Sequence, residues 1–184
     1  MRPELAKAAD TKYWLYGLSE YDFGYTIELI DRFIAPAQRE VEAQRKHIAE
    51  NHPNSSIHAE AVGDLAYYTW LEQHYFWHFG LWRMQGVLEG LIESTFLPPS
   101  ARGKTLLGLR AKLDAMRQAG YSVTDEDAAE LLRWANLRNT LSHAPPEQYR
   151  PIHLDREDLL EYKAFVESLC KVWRQQETAI HGGV

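Results

Sequence analysis

An arginine, an asparagine and a histidine stand close together near residue 140 and could carry out acid–base chemistry on an anionic substrate. Arg138 and Asn139 are adjacent, and His143 follows four residues after Asn139. A guanidinium can bind a phosphate through charge-assisted hydrogen bonds. An imidazole, with an ordinary pKa of about 6.5, can take up or release a proton near neutral pH. These three residues are therefore the candidate catalytic residues.

The spacing of Arg138 and His143 is not unusual for this chain. Two other arginine–histidine pairs have a comparable spacing, Arg45–His52 and Arg174–His181. Arg138 differs from them because a short polar amide, Asn139, follows it, and because its predicted helix ends at the histidine. A short motif gains specificity from such a context, so the segment from Arg138 to His143 is the preferred candidate.

Helical geometry limits how these side chains can act together. At about 100° per residue, Asn139 and His143 share a helix face, whereas Arg138 points about 140° away from His143. One helix alone therefore brings the guanidinium and the imidazole together poorly. A twofold-related partner that presents a second Arg138 and His143 opposite the first would complete the site.

Apolar residues recur at intervals of three and four along most of the chain, which predicts amphipathic helices. We expect five main helices, from Ser19 to about Glu50, from about His58 to Phe96, from Lys104 to Ala119, from Thr124 to His143, and after Asp155. Pro36 is expected to kink the first helix or end it early, and Gly120 to end the third. No segment has the pattern of a strand, so the predicted fold class is all-α, an up-down bundle of four to five main helices.

The second predicted helix is the most unusual segment of the chain. Between Tyr67 and Trp82 it is apolar or aromatic on nearly every face, so it must lie in the centre of a bundle, contact a second subunit, or both. Glu72, Arg83 and Glu89 interrupt the apolar run, which falls short of the roughly 18 residues typical of a membrane span. Close approach of another helix, or a kink, could occur at three glycines of this helix, Gly80, Gly86 and Gly90.

The motif and the order of helices around it resemble the HEPN superfamily of helical-bundle proteins. The shared order is a long helix, a leucine-rich helix, a glycine-containing turn, a helix that ends in Arg-Asn-x-x-x-His, and a final amphipathic helix. The resemblance covers residues 104–176, the motif-bearing part of a single domain formed by residues 1–184. It implies a HEPN-like fold and a metal-independent ribonuclease site at which two copies of the motif meet across a homodimer.

The resemblance also implies roles for the three residues. His143 would exchange a proton with the ribose 2′-hydroxyl or the leaving 5′-oxygen, Arg138 would bind the phosphate, and Asn139 would orient the imidazole or bind phosphate. The implied partner is RNA, single-stranded or tRNA-like, with no cofactor and no metal. The implied setting is a toxin–antitoxin system or antiviral defence, in which partners could include an antitoxin or a regulatory protein.

At one position this chain differs from one branch of the HEPN superfamily. The toxin branch that is paired with nucleotidyltransferase antitoxins has a tyrosine two residues after the histidine, and this chain has Pro145 there. We therefore do not expect a partner to modify a tyrosine at that position.

Other interpretations remain open. The chain could be a HEPN module that binds RNA or protein without cleaving it, because many members keep the fold and lose catalysis. Arg138 could pair with an acidic neighbour while His143 caps a helix C-terminus. His74 and His78 could bind a metal, although no carboxylate has the spacing found in di-iron bundles. The tryptophans and tyrosines could stack on RNA bases, although aromatic residues at helical spacing usually belong to a core.

Composition limits the class of protein. The 184 residues, 45% hydrophobic and 25% charged, fit one globular domain. The net charge of -6 argues against a protein that coats nucleic acid by bulk electrostatics. Cys170 is the only cysteine and is expected in the core. The N-terminal sequence lacks the pattern of a secretory signal, and the predicted location is the cytoplasm.

Overall fold

The computed structural model describes residues 2–3, 19–53, 56–98, 101, 108–143 and 154–181. In these ranges the chain forms five helices and no strand, which confirms the predicted all-α class. The helices are α1 (Tyr21–Asn51), α2 (Ser56–Leu91), α3 (Gly108–Gln118), α4 (Asp125–His143) and α5 (Arg156–His181), and a π-helical turn (Ile92–Phe96) follows α2 directly. The predicted start of the third helix at Lys104 lies outside the described residues, as does Pro145.

The first two helices form a long antiparallel hairpin. Arg83 of α2 lies 3.6 Å from the carboxylate of Asp22 near the start of α1. Further along, Phe33 stacks on Phe76 with ring centroids 6.0 Å apart. Pro36 does not end α1, which continues through it to Asn51. Its position is exposed, so water can hydrate the carbonyl that loses its helical hydrogen bond.

Helix α2 is the centre of the bundle and packs against α1, α4 and α5. Its inward side chains are fully buried, among them Leu81, Met84, Val87, Leu88 and Leu91. A β-carbon on Gly80 would overlap the side chain of Leu159 in α5 and lie 2.7 Å from Cδ1 of Ile30 in α1. Gly80 therefore permits close helix approach, as expected. Gly86 does not, because a β-carbon there would meet nothing within 4 Å.

Local signals set the end of α3 and the start of α4. Gly120 has a φ of 100°, the left-handed conformation that glycine adopts without strain. Beside it the N–H of Tyr121 donates to the carbonyl of Met116 at 3.1 Å, which ends α3 as predicted. At α4 the Thr124 hydroxyl accepts from the N–H of Asp127 at 3.0 Å, and the Asp127 carboxylate accepts from the N–H of Thr124 at 3.3 Å. This reciprocal pair is a capping box.

Buried aromatic side chains pack together where α5 meets the π-helical turn that follows α2. Trp173 is fully buried and lies edge to face with Phe96, 5.4 Å between ring centroids. Its indole N–H donates to the carbonyl of Ser122 at 2.9 Å. Cys170 is fully buried on the same helix, as expected, and burial raises the pKa of its thiol to about 12. Within the described parts of the chain, no helix combines the length and the hydropathy of a membrane span.

Candidate functional site

A groove of about 260 Å³ runs between α2 and α4 and contains the arginine of the predicted motif. Helix α4 contributes Arg138, Leu141 and Ser142, which share a face because they are three and four positions apart. Helix α2 contributes four aromatic side chains, Tyr75, His78, Phe79 and Trp82. We call this cavity the Arg138 groove. It brings one residue of the motif together with the aromatic helix.

Arg138 is held at the edge of this groove by an ion pair with α2. One terminal nitrogen, Nη2, lies 3.6 Å from Oε1 of Glu89, and both side chains are 25% exposed. At that separation the contact is an ion pair without a hydrogen bond. The Nε atom of Arg138 is buried and has no hydrogen-bond partner among the described residues. The guanidinium has five N–H donors, and its side chain is partly exposed where it lines the groove, so donors other than the buried Nε can reach a second anion.

Glu89 is itself fixed by a buried lysine on α3. The Nζ atom of Lys112, whose side chain is 7% exposed, lies 2.6 Å from Glu89 and 2.9 Å from Glu93. Burial lowers the pKa of Lys112, but hydrogen bonds and attraction from the two carboxylates outweigh burial, and the pKa stays above 10.5. Burial, followed by the charge of Glu89, raises the pKa of the nearby Tyr162. Two cations on α3 and α4 thus balance two carboxylates, one on α2 and one in the π-helical turn that follows it.

The other two residues of the motif have different positions. Asn139 is exposed on the outer side of α4 and does not line the groove. His143 is the last residue of α4, and its side chain lies outside the described part of the structure. The Ser142 hydroxyl, which does line the groove, donates to the carbonyl of Arg138 at 2.9 Å. Convergence of the three predicted catalytic residues therefore stays a prediction.

The two other arginine–histidine pairs place their arginines elsewhere. Arg174 donates to the carboxylate of Glu20 at 2.7 Å and lies over the ring of Phe96. Arg45 is exposed on α1. Neither arginine lines the Arg138 groove, so Arg138 is distinguished from them by its surroundings as well as by its sequence context.

The paired histidines of α2 form part of an aromatic stack. The His74 ring stacks on Trp70 at 5.2 Å and meets His78 edge to face at 3.9 Å between centroids. The Nδ1 atom of His74 accepts from the N–H of Leu154 at 3.3 Å, so His74 connects α2 to the start of α5. Among the described residues, no group of three or more His, Cys, Asp or Glu side chains is arranged to hold a metal ion.

Two parts of this site were not foreseen in the sequence. One is the position of His78 and Trp82 beside Arg138. The other is the identity of the acidic partner of Arg138, Glu89, since pairing with an acidic neighbour was one of the open interpretations. The available signal was Glu89, because a carboxylate inside an apolar run needs a partner when it is buried. Its partners, Arg138 and Lys112, belong to other helices, so spacing along the chain could not identify them.

Comparison of the chain with protein-family models, with characterised proteins and with solved structures gives no match. The resemblance to HEPN proteins therefore depends on the motif and the helix order described above.

Proposed function

We propose that this chain is a metal-independent endoribonuclease of the HEPN type, which acts as a homodimer in a toxin–antitoxin or antiviral-defence setting. The observation that carries the proposal is the position of Arg138, the arginine of the motif. Its guanidinium lies in a groove whose other wall consists of aromatic side chains. A guanidinium suits the phosphate of RNA, and aromatic rings can accommodate bases.

The proposed reaction is attack of a ribose 2′-hydroxyl on the adjacent phosphodiester. An imidazole takes the proton of the 2′-hydroxyl, and the 2′-oxygen forms a bond to phosphorus. The bond from phosphorus to the 5′-oxygen breaks as that oxygen receives a proton. The products are a 2′,3′-cyclic phosphate and a 5′-hydroxyl. His143 supplies an imidazole, Arg138 stabilises negative charge on the phosphate oxygens, and Asn139 orients the imidazole or binds phosphate.

A second copy of the chain completes the proposed site. The reaction needs one group to accept a proton and one to donate it, and each chain supplies one imidazole in the motif. Arg138 and His143 also point about 140° apart on an ideal helix. Two motifs facing each other across a twofold axis supply both imidazoles and place a guanidinium near each.

The direct test is cleavage of single-stranded RNA by the purified protein in EDTA. Cleavage is expected, and His143→Ala and Arg138→Ala are each expected to reduce its rate by about 100-fold or more. A smaller loss is expected for Asn139→Ala. The matched control is Arg133→Ala, because Arg133 lies on the same helix with its side chain 71% exposed and paired with Glu130 at 3.0 Å. Cleavage that is unaffected by His143→Ala would contradict the proposal.

The second candidate is a non-catalytic HEPN module that binds RNA or protein. It is favoured by the ion pair of Arg138 with Glu89, because the carboxylate offsets part of the positive charge with which the guanidinium would attract a phosphate. It predicts binding without cleavage, and no growth defect when the protein is expressed in cells. Growth arrest on expression, relieved by His143→Ala, supports the ribonuclease instead.

A further inference from the structure

The polar groups that line the Arg138 groove are suited to an anion. Arg138 and His78 both line it, and none of the described residues that line it is a carboxylate. Glu89, the acidic partner of Arg138, is not among them. A groove that presents a guanidinium and an imidazole, without an acid beside them, favours a negatively charged group. We therefore expect the ligand of this groove to carry an anion.

The two helices separate these polar groups along the groove. Arg138 reaches Glu89 of α2, whereas Leu141 and Ser142, which follow Arg138 on α4, share the groove with α2 residues that precede Glu89. The two helices therefore run antiparallel here. His78 precedes Glu89 by eleven residues, about 16 Å along a helix, so it lies toward the opposite end of the groove from the ion pair. This order suits a ligand with an anion at one end and a hydrogen-bonding group at the other.

Aromatic rings form the wall between these two ends. Trp82 is four residues after His78 and lies on the same face of α2, and Tyr75 and Phe79 line the groove beside it. The Trp82 side chain is 57% exposed, so more than half of its surface is open to a ligand. Aromatic side chains stack on nucleobases, which are planar and have hydrogen-bonding groups along their edges. A base with an attached phosphate therefore matches the order of groups in the groove.

His78 is held in position by the neighbouring histidine. His74 is 1% exposed, and its Nδ1 accepts from the N–H of Leu154 at 3.3 Å. The ring of His78 meets His74 edge to face, with 3.9 Å between ring centroids. Because His74 is fixed between α2 and the start of α5, the His78 imidazole has a defined position. A neutral imidazole offers one donor and one acceptor, which suits the edge of a base.

We propose that the Arg138 groove is a binding site for one nucleotide, with the phosphate at Arg138, the base stacked on Trp82 and the edge of the base hydrogen-bonded to His78. We call this the nucleotide site. Trp82 and His78 then set affinity and base preference beside the motif. The volume of about 260 Å³ suits so small a ligand, because pockets for drug-sized ligands have roughly 300–1,000 Å³. That the nucleotide belongs to an RNA substrate rests on the proposed function, whereas binding can be tested without cleavage.

The decisive experiment compares two kinds of ligand by NMR titration of the purified chain in EDTA. The ligands are inorganic phosphate and the 3′-monophosphates of adenosine, guanosine, cytidine and uridine. At least one nucleotide is expected to bind about 10-fold or more tightly than inorganic phosphate, because stacking adds to the phosphate contact. Arg138→Ala is expected to weaken the binding of every ligand by about 10-fold or more.

The stacking contact is tested with Trp82→Ala. This variant is expected to lose most of the advantage of nucleotides over inorganic phosphate and to leave the affinity for phosphate unchanged. The matched control is Tyr68→Ala, because Tyr68 is an aromatic residue of the same helix that is 61% exposed and does not line the Arg138 groove. The control is expected to bind every ligand as the wild-type chain does.

The role of His78 is tested with His78→Phe, which keeps a ring against His74 and removes the hydrogen-bonding nitrogens. The ratio between the best-bound and the worst-bound nucleotide is expected to fall by about 5-fold or more, with the affinity for inorganic phosphate unchanged. A purely structural role would lower the affinity for all ligands alike. The control is His47→Phe, at an exposed histidine of α1 that lies 3.1 Å from the amide nitrogen of Asn51. Far-ultraviolet circular dichroism shows whether each variant still folds.

The possible outcomes separate the nucleotide site from the proposed function. Nucleotides that bind no more tightly than inorganic phosphate, or an advantage that Trp82→Ala retains, would overturn the nucleotide site. Base preference unchanged in His78→Phe would overturn the assignment of His78. A chain that binds nucleotides as expected but does not cleave RNA rejects the ribonuclease and leaves the nucleotide site standing. Cleavage of RNA with a KM that Trp82→Ala does not change would reject the nucleotide site and leave the ribonuclease standing.

Discussion

The inner and outer faces of α2 carry the same kinds of side chain in opposite surroundings. Leu81 and Met84 on the inner face are fully buried, whereas Phe79 and Trp82 on the outer face are 67% and 57% exposed. Both faces belong to one helix and carry large apolar side chains. The inner face therefore forms part of the core of one chain. The outer face carries apolar surface that this core does not use.

The charges on α2 follow the same division. Glu89 pairs with the buried Lys112 and with Arg138 at the Arg138 groove, so that opposite charges balance there. The pair of Arg83 with Asp22 joins α2 to α1, with side chains 47% and 26% exposed, and an exposed ion pair contributes about 1 kcal/mol or less. Glu89 thus holds Arg138 at the Arg138 groove, whereas Arg83 and Asp22 are paired with each other on the other side of α2.

The largest expected effect comes from two tryptophans on this one helix. Trp77 is 7% exposed, so Trp77→Ala leaves a cavity and is expected to lower the free energy of unfolding by about 3–5 kcal/mol. Trp82→Ala is expected to change it by less than about 0.5 kcal/mol. Urea denaturation followed by circular dichroism measures both, at two protein concentrations so that a contribution from dissociation of a dimer is recognised. Equal losses of unfolding free energy in the two variants would contradict the conclusion that only the inner face is packed in the core.

A smaller effect, with opposite signs on the two faces, is expected at two glycines. Gly80→Ala places a methyl against Leu159 and Ile30, both buried, and is expected to lower the free energy of unfolding by about 1–3 kcal/mol. Gly86→Ala is expected to raise it by up to about 1 kcal/mol, because alanine favours the helix and the site is open. Urea denaturation checks both signs. A loss at Gly86 would mean that the outer face is already packed in the monomer.

The smallest expected effect is a dependence of stability on alkaline pH that comes from the interior. The pKa of Cys170 is raised from 9.0 to about 12 by burial, so from pH 9 upward the unfolded chain loses a proton that the folded chain keeps. The free energy of unfolding is therefore expected to fall by about 1 kcal/mol between pH 9 and pH 10. Lys112, whose pKa is raised above 10.5, contributes stability below pH 10.5 and loses it above.

The matched variant for this pH effect is Cys170→Ala. It is expected to reduce the slope between pH 9 and 10, where the thiol contributes most of it. The raised pKa of the buried Tyr162 leaves a smaller slope in the variant, and the removed sulfur lowers stability at every pH. Urea denaturation at a series of pH values gives the slope. An unchanged slope would mean that Cys170 ionises as readily in the folded chain as in the unfolded one.

The helices were predictable because their ends depend on neighbouring residues. The hydroxyl of Thr124 caps α4 from three residues away, and Gly120 ends α3 through its own positive φ. The expected early end of the first helix at Pro36 was wrong, because the exposed position of Pro36 lets α1 continue to Asn51. The motif at Arg138 could be selected from sequence context, but its groove could not, because the wall formed by His78 and Trp82 comes from another helix.

By itself, the sequence determined the fold class, the order of the helices and most of their ends. It did so because caps, glycines and the three-to-four-residue repeat act over one or two helical turns. Only the tertiary structure decided which side of the aromatic helix is covered and which carboxylate holds Arg138. Both depend on contacts between helices that are distant along the chain, where an apolar stripe or a charge does not specify its partner.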